Sequence, residues 1–369
     1  MRLIFIPIKQ KTMNRRKFIE TSGAAAGAAM LGSVTPDVNA SPVTQETKAG
    51  KAGKIKLGLY SISYGGIWYK GAALSFDELC RRAKEYGFDG VELDNKRPMG
   101  NPMDLDQRKR DEMRNTLAKY GLEIPCVAAN NDFSSPIPEH RDCQLLMIHE
   151  TAKLAKEMGA KVVRLFAAWT GVPIHEGIGT YDFVHGHDGY YTFLRQYPYA
   201  THLDRWNFVK ACLSEAAKMG EENGVVMALQ NHAPLIRNWK DTYDLVREVN
   251  SPWLKICLDL PIFENLDKEY VANAVHTVGN LQVHSHFGGE YYRDANGIIR
   301  QKVLDYNFGG PLPDYIHYIG LMNEIGYNGY FTFELCHPVL NDDHTRAGIE
   351  YVHEQVKLAR EFMGNIVNK

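Results

Sequence analysis

Cysteine is scarce in this chain of 369 residues, and Cys80, Cys126, Cys143, Cys212, Cys257 and Cys336 stand apart with no Cys-x-x-Cys pair among them. This excludes a disulfide framework and a thiolate metal site, so each reads as a small buried residue. An excess of one charge is missing too. With 42 Lys and Arg against 44 Asp and Glu, the net charge of −2 offers no basic face to nucleic acid or to an anionic membrane. After the N-terminal region no apolar run is long enough to cross a bilayer. The first turn, Ser63-Tyr-Gly-Gly-Ile-Trp68, lacks the glycine fingerprint of a dinucleotide fold. No internal repeat and no low-complexity tract follow residue 53. What remains, 44% apolar and 23% charged, suits a globular enzyme.

The N-terminus reads as an address rather than as fold. Asn14-Arg-Arg-Lys-Phe-Ile19 resembles the twin-arginine export signal. An Ala/Gly-rich run over Gly23–Gly32 and a small-residue cleavage site at Val38-Asn39-Ala40 follow it, and Met13 then reads as the start. The resemblance implies a signal over residues 1–40 and export, already folded, to the periplasm, with no stable membrane insertion once the signal is removed. Residues 41–53, polar and rich in Lys, Thr and Gly, read as a flexible leader.

From residue 54 onward, short apolar β-branched runs alternate with longer helical patterns. Strands are expected at Ile55–Ser61, Gly90–Leu93, Ile124–Ala128, Lys161–Phe166, Val225–Leu229, Leu254–Leu258, Leu281–Val283 and Tyr330–Phe333. They are continuously apolar, as parallel strands covered by helices should be. Helices are expected over Phe76–Tyr86, Asp106–Tyr120, His140–Met158, Leu203–Asn223, Trp239–Val249, Lys268–Val278, Pro313–Ile325 and Asp342–Met363. Several stop at a glycine, the usual C-terminal signal. Eight strand–helix units in strict alternation predict an α/β protein, a (β/α)8 TIM barrel forming a single domain over residues 54–366. A doubly wound open sheet is the competitor. The connection Thr170–Thr201 is long, aperiodic and rich in Gly, Tyr and His, and reads as a lid. Its Tyr190, Tyr191, Tyr197 and Tyr199 would stack on a sugar ring or fill space over the mouth.

The chemistry-bearing residues fall at strand ends. Gln230-Asn231-His232 follows the fifth strand, Asp259 the sixth, His284 and His286 the seventh, and Glu334 the eighth. A barrel gathers these ends around one mouth. Asp259, His286, Glu334 and the amide oxygen of Gln230 would make a mixed oxygen and nitrogen site for one divalent ion. Over Ile55 to about Phe362 the chain resembles the xylose isomerase-like (sugar phosphate isomerase/epimerase) family of barrels. His284-Ser-His286-Phe-Gly288 resembles that family's His-x-His-x-Gly, in which the second histidine is the ligand. The resemblance implies one Mn2+, Mg2+, Zn2+ or Co2+ ion and a small-molecule carbohydrate as substrate; a homo-oligomer is also compatible. Two departures stand out: Gln230 occupies a position usually held by Glu, and Ile262 one commonly held by His.

An amide cannot act as a base, so a symmetric exchange between two glutamates is not expected. Glu334 remains a candidate base, and His232 and His284 are candidate second proton-transfer groups. Arg293, Arg164, Glu92 and Asn231 are candidates for binding substrate hydroxyls. The expected activity is a sugar isomerase or epimerase acting through an enediolate. A lyase or hydratase on 3-oxo sugars or glycosides, and a non-catalytic sugar-binding barrel, are the alternatives. An abasic-site endonuclease is excluded by the missing basic track.

Overall fold

Parallel strands at this spacing bury both faces by closing on themselves. In the computed structural model they do so. The structure describes residues 54–169, 171–172, 174–175, 178–179, 196–304 and 311–368. Residues 1–53, where an export signal and a leader are expected, and most of the lid expected over Thr170–Thr201, including Tyr190 and Tyr191, lie outside the described residues.

The barrel strands are β1 (Lys56–Tyr60), β2 (Gly90–Asp94), β3 (Cys126–Ala128), β4 (Val162–Leu165), β5 (Val226–Gln230), β6 (Leu254–Cys257), β7 (Gln282–Gly288) and β8 (Tyr330–Glu334). Each pairs in parallel with its sequence neighbours, and β8 returns to β1, closing the ring. Outside it run α1 (Phe76–Tyr86), α2 (Gln107–Tyr120), α3 (Pro138–Met158), α4 (His202–Asn223), α5 (Trp239–Val249), α6 (Lys268–Val278), α7 (Tyr315–Glu324) and α8 (Ile349–Val367). The predicted (β/α)8 barrel is therefore the observed fold.

Local chemistry sets the element ends. Ser75 caps α1 through Oγ, which accepts from the Glu78 amide at 3.2 Å. Thr201 and Asp204 form a reciprocal capping box at α4. Gly87, Gly121, Gly159 and Gly224 end four helices in the left-handed region. Two expectations miss. Helix α8 begins at Ile349 rather than Asp342, because residues 341–345 form a turn with His344 at φ 61°. Strand β7 runs on to Gly288, so His284 and His286 lie within it rather than beyond its end. They stay in the ladder because the barrel interior supplies partners for both rings.

Strand alternation divides the residues into two sets. Phe287, Phe331 and Phe333 face the helices, stacked or tilted at centroid distances of 5.2–5.3 Å. The inward set begins as a small apolar layer, Cys126, Val162, Ala228 and Cys257. Two residues further along the strands it becomes polar, with Arg164 after Val162 and Gln230 after Ala228. That polar layer is the floor of the barrel mouth.

Candidate functional site

The floor is built from buried charges that hold one another in place. His286 is gripped on both ring nitrogens: Nδ1 lies 2.7 Å from Asp259 Oδ2 and Nε2 lies 2.8 Å from Glu92 Oε2. His284 Nε2 meets the same Glu92 oxygen at 2.8 Å. All four side chains are at most 3% exposed. Burial opposes the charge on His286, yet Asp259 and Glu92 lift its pKa well above the ordinary value. Burial likewise works against Glu92, but His286 and His284 hold its carboxyl well below the usual range. Asp259 is lowered too: burial opposes its charge and the neighbouring His286 outweighs it.

A second chain of contacts runs across the floor. Arg164, 2% exposed, donates from one terminal nitrogen to Gln230 Oε1 at 3.0 Å and from the other to Tyr60 Oη at 2.7 Å. Tyr60 donates in turn to Asp94 Oδ2 at 2.9 Å. The other end of the Gln230 amide, Nε2, donates to Asp259 Oδ2. This amide has no freedom to flip. A guanidinium has only donors, so the amide oxygen must face Arg164 and the NH2 must face Asp259.

Above the floor, Phe166 and Trp169 stack at 5.1 Å after β4, and His232 meets both rings edge-on at 4.9 and 4.6 Å. His232 Nδ1 lies 2.6 Å from the Ala233 carbonyl, which can only accept, so the ring proton sits on Nδ1 and Nε2 carries the lone pair. Burial pushes the His232 pKa down to about 4. Glu334 ends β8 on the same side of the ring, half-buried at the mouth. Burial raises its carboxyl above the ordinary range against the pull of His286 and Arg164, and Asp259 and Glu92 add to the rise.

Several expected site residues stand differently. Arg293 does not face the mouth: it lies on an antiparallel hairpin (Tyr291–Arg293 with Ile299–Gln301) and pairs with Glu361 of α8. Asn231 spends both ends of its amide on the Asp259 backbone, accepting from N at 2.8 Å and donating to O at 3.3 Å, so it braces Asp259 rather than awaiting substrate. Glu92 and Arg164 lie in the floor, sealed from solvent, with Glu92 held by His284 and His286 and Arg164 by Gln230 and Tyr60. His232 is neutral at pH 7 instead of titrating near it. Asp259 contacts both Gln230 and His286, but Glu334 completes no three-ligand set with them among the described residues. The sequence reading overlooked Tyr60, Phe166 and Trp169. Strand parity could have found Tyr60, which ends β1 facing inward.

A model described as a xylose isomerase-like TIM barrel matches residues 80–360. The chain belongs to this family. Solved structures share the fold of this xylose isomerase-like barrel at low sequence identity. A 3-keto-D-glucoside 4-epimerase from E. coli is 17% identical with a TM-score of 0.57, over 84% of this chain and 100% of that one. A D-psicose 3-epimerase from Clostridium cellulolyticum H10 is 17% identical with a TM-score of 0.59, over 85% and 99%. An IolI protein with a bound zinc atom is 14% identical with a TM-score of 0.58, over 85% and 98%. No curated protein sequence matches the chain.

The divalent ion that the family implies has to be tested against the donors present. Asp259 Oδ1 already accepts from the His286 amide at 2.9 Å and from Cys257 Sγ at 3.4 Å, and Oδ2 accepts from Gln230 and faces His286. A carboxylate has about four lone-pair positions, so Asp259 is saturated. Gln230 has turned its oxygen to Arg164. The set Gln230, Asp259, His286 and Glu334 therefore does not fit an ion as it is arranged.

Proposed function

We propose that this xylose isomerase-like barrel is a carbohydrate isomerase or epimerase that moves a proton at a carbon beside a carbonyl. The observation that carries the reading is Glu334. It is a carboxyl that ends β8 at the rim of a closed barrel, where a carboxyl can take and return a proton, and burial raises its pKa above the ordinary value. Arg164 lies close enough to act on it electrostatically, and its positive field favours the negative charge of an enediolate. His232 lies two residues beyond the end of β5, away from β8, and presents a neutral Nε2 lone pair that can accept from a substrate hydroxyl. Epimerase names among the structural neighbours support the same chemistry.

A second reading, elimination from a 3-oxo glycoside, is favoured by one observation: Gln230 cannot be the partner base that two-sided epimerisation needs. Both readings begin with removal of a proton from a carbon beside a carbonyl. The test is proton NMR in D2O with a panel of ketoses and 3-oxo glycosides. Deuterium entering the substrate supports proton abstraction, and release of the aglycone selects elimination. Glu334→Gln should slow exchange by about 10²- to 10⁴-fold without loss of fold. Exchange at the wild-type rate in that variant would sink the assignment.

A further inference from the structure

The hydrogen-bond accounts of the two buried carboxylates differ, and the difference points to a ligand. Asp259 has every lone pair engaged. Glu92 does not: Oε2 serves both His284 and His286, while Oε1, fully buried, has no hydrogen-bond partner among the described residues. His284 and His286 lie two residues apart on β7, so strand alternation turns both rings inward onto Glu92 of β2. One ligand atom from each of the three lies within 4.8 Å of the others.

We propose that Glu92, His284 and His286 form a divalent-cation position of their own. It lies two residues further from the strand ends than the position expected around Asp259 and Glu334. The inference rests on donor geometry alone and stands whether or not the sugar chemistry above is right. The tautomer of His286 decides between the two positions. An ion beside Asp259 needs the Nδ1 lone pair, with Nε2–H donated to Glu92. An ion beside Glu92 needs the Nε2 lone pair, with Nδ1–H donated to Asp259 at the 2.7 Å separation observed. The second arrangement leaves Asp259 saturated as found and makes it the carboxylate that orients a ligating imidazole. It also leaves Gln230 on Arg164. Two imidazole nitrogens and one carboxylate favour Zn2+, Co2+ or Fe2+ over Mg2+ or Ca2+.

The test uses the full chain and two measurements. Anomalous diffraction from wild-type crystals grown with Zn2+ should place a peak within about 2.3 Å of a Glu92 carboxylate oxygen and of both Nε2 atoms. Zn2+ affinity, measured by competition with a chelator, should fall about 100-fold or more in His284→Ala and about tenfold in Asp259→Asn. It should stay unchanged in Glu334→Gln. A peak between Asp259 and Glu334, no peak, or the reverse pattern of affinities would overturn the proposal. The wild-type crystal keeps the question decidable if His284→Ala does not fold.

Discussion

Arg164→Met tests whether the floor is held together as described. The substitution keeps an unbranched stem and removes the charge together with bonds of 3.0 Å to Gln230 and 2.7 Å to Tyr60. Hydrogen bonds from a charged donor contribute about 1.5 to 3 kcal/mol each, so two give about 3 to 6 kcal/mol. Removing one partner from a buried charge arrangement costs about 3 to 5 kcal/mol by independent experience. At 2% exposure no solvent screening reduces these figures. The loss should also depend on pH. Arg164 restrains the rise in the Glu334 pKa, so without it the folded value climbs further above the unfolded one. A carboxyl with a raised folded pKa binds more protons folded than unfolded, and its contribution to stability falls as pH rises through that interval. The penalty for Arg164→Met should therefore be larger at pH 8 than at pH 5. Urea unfolding at the two pH values measures both quantities. A loss under about 1 kcal/mol, or one larger at pH 5, would refute the pairing scheme.

Three further outcomes follow from separate parts of the molecule. His232→Phe should weaken substrate binding yet leave the shape of the pH–rate profile between about pH 5.5 and 8 unchanged, because the imidazole, at about 4, is already neutral there; a lost limb in that range would show that His232 titrates during turnover. Gly100→Ala should cost about 1 to 3 kcal/mol in a denaturation curve, since the new Cβ would land on the Asp94 carbonyl oxygen and press on Leu93 at 2.7 Å. We also propose that the N-terminal segment directs export: a reporter fused after residue 53 should reach the periplasm, and changing Arg15 and Arg16 together to Lys should hold it in the cytoplasm.

Most of the fold was legible because its signals are local. Ser75, Gly87, Gly121, Gly159 and Gly224 stand where chain geometry requires a cap or a left-handed residue, and apolar runs between them have few alternatives. The length of β7 was not legible. The apolar run stops at Val283; the spacing of His284 and His286 shows their shared face, but that the ladder continues to Gly288 depends on partners elsewhere: Glu92 for the rings, and Leu258 O for Ser285 Oγ at 2.6 Å. The contacts to Glu92 join residues about 190 positions apart, and no window along the sequence contains them.

The same distinction explains how the site was read. Residue type and strand parity were enough to bring Gln230, Asp259 and His286 together, because a closed parallel sheet leaves the inward side chains at neighbouring strand ends nowhere else to go. What each one does there depends on which lone pairs its neighbours consume. Arg164 lies 66 residues before Gln230 and fixes the direction of that amide; Asn231 and the His286 amide fix Asp259 from the backbone side. A Glu at 230 would have two acceptor oxygens, one for Arg164 and one for a cation. With Gln it has one acceptor, which Arg164 takes, and one donor, which satisfies Asp259. That single amide thus removes two oxygens from the expected ligand set, its own and its neighbour's. The carboxylate still in need of a partner is the one on the opposite side of His286, at Glu92.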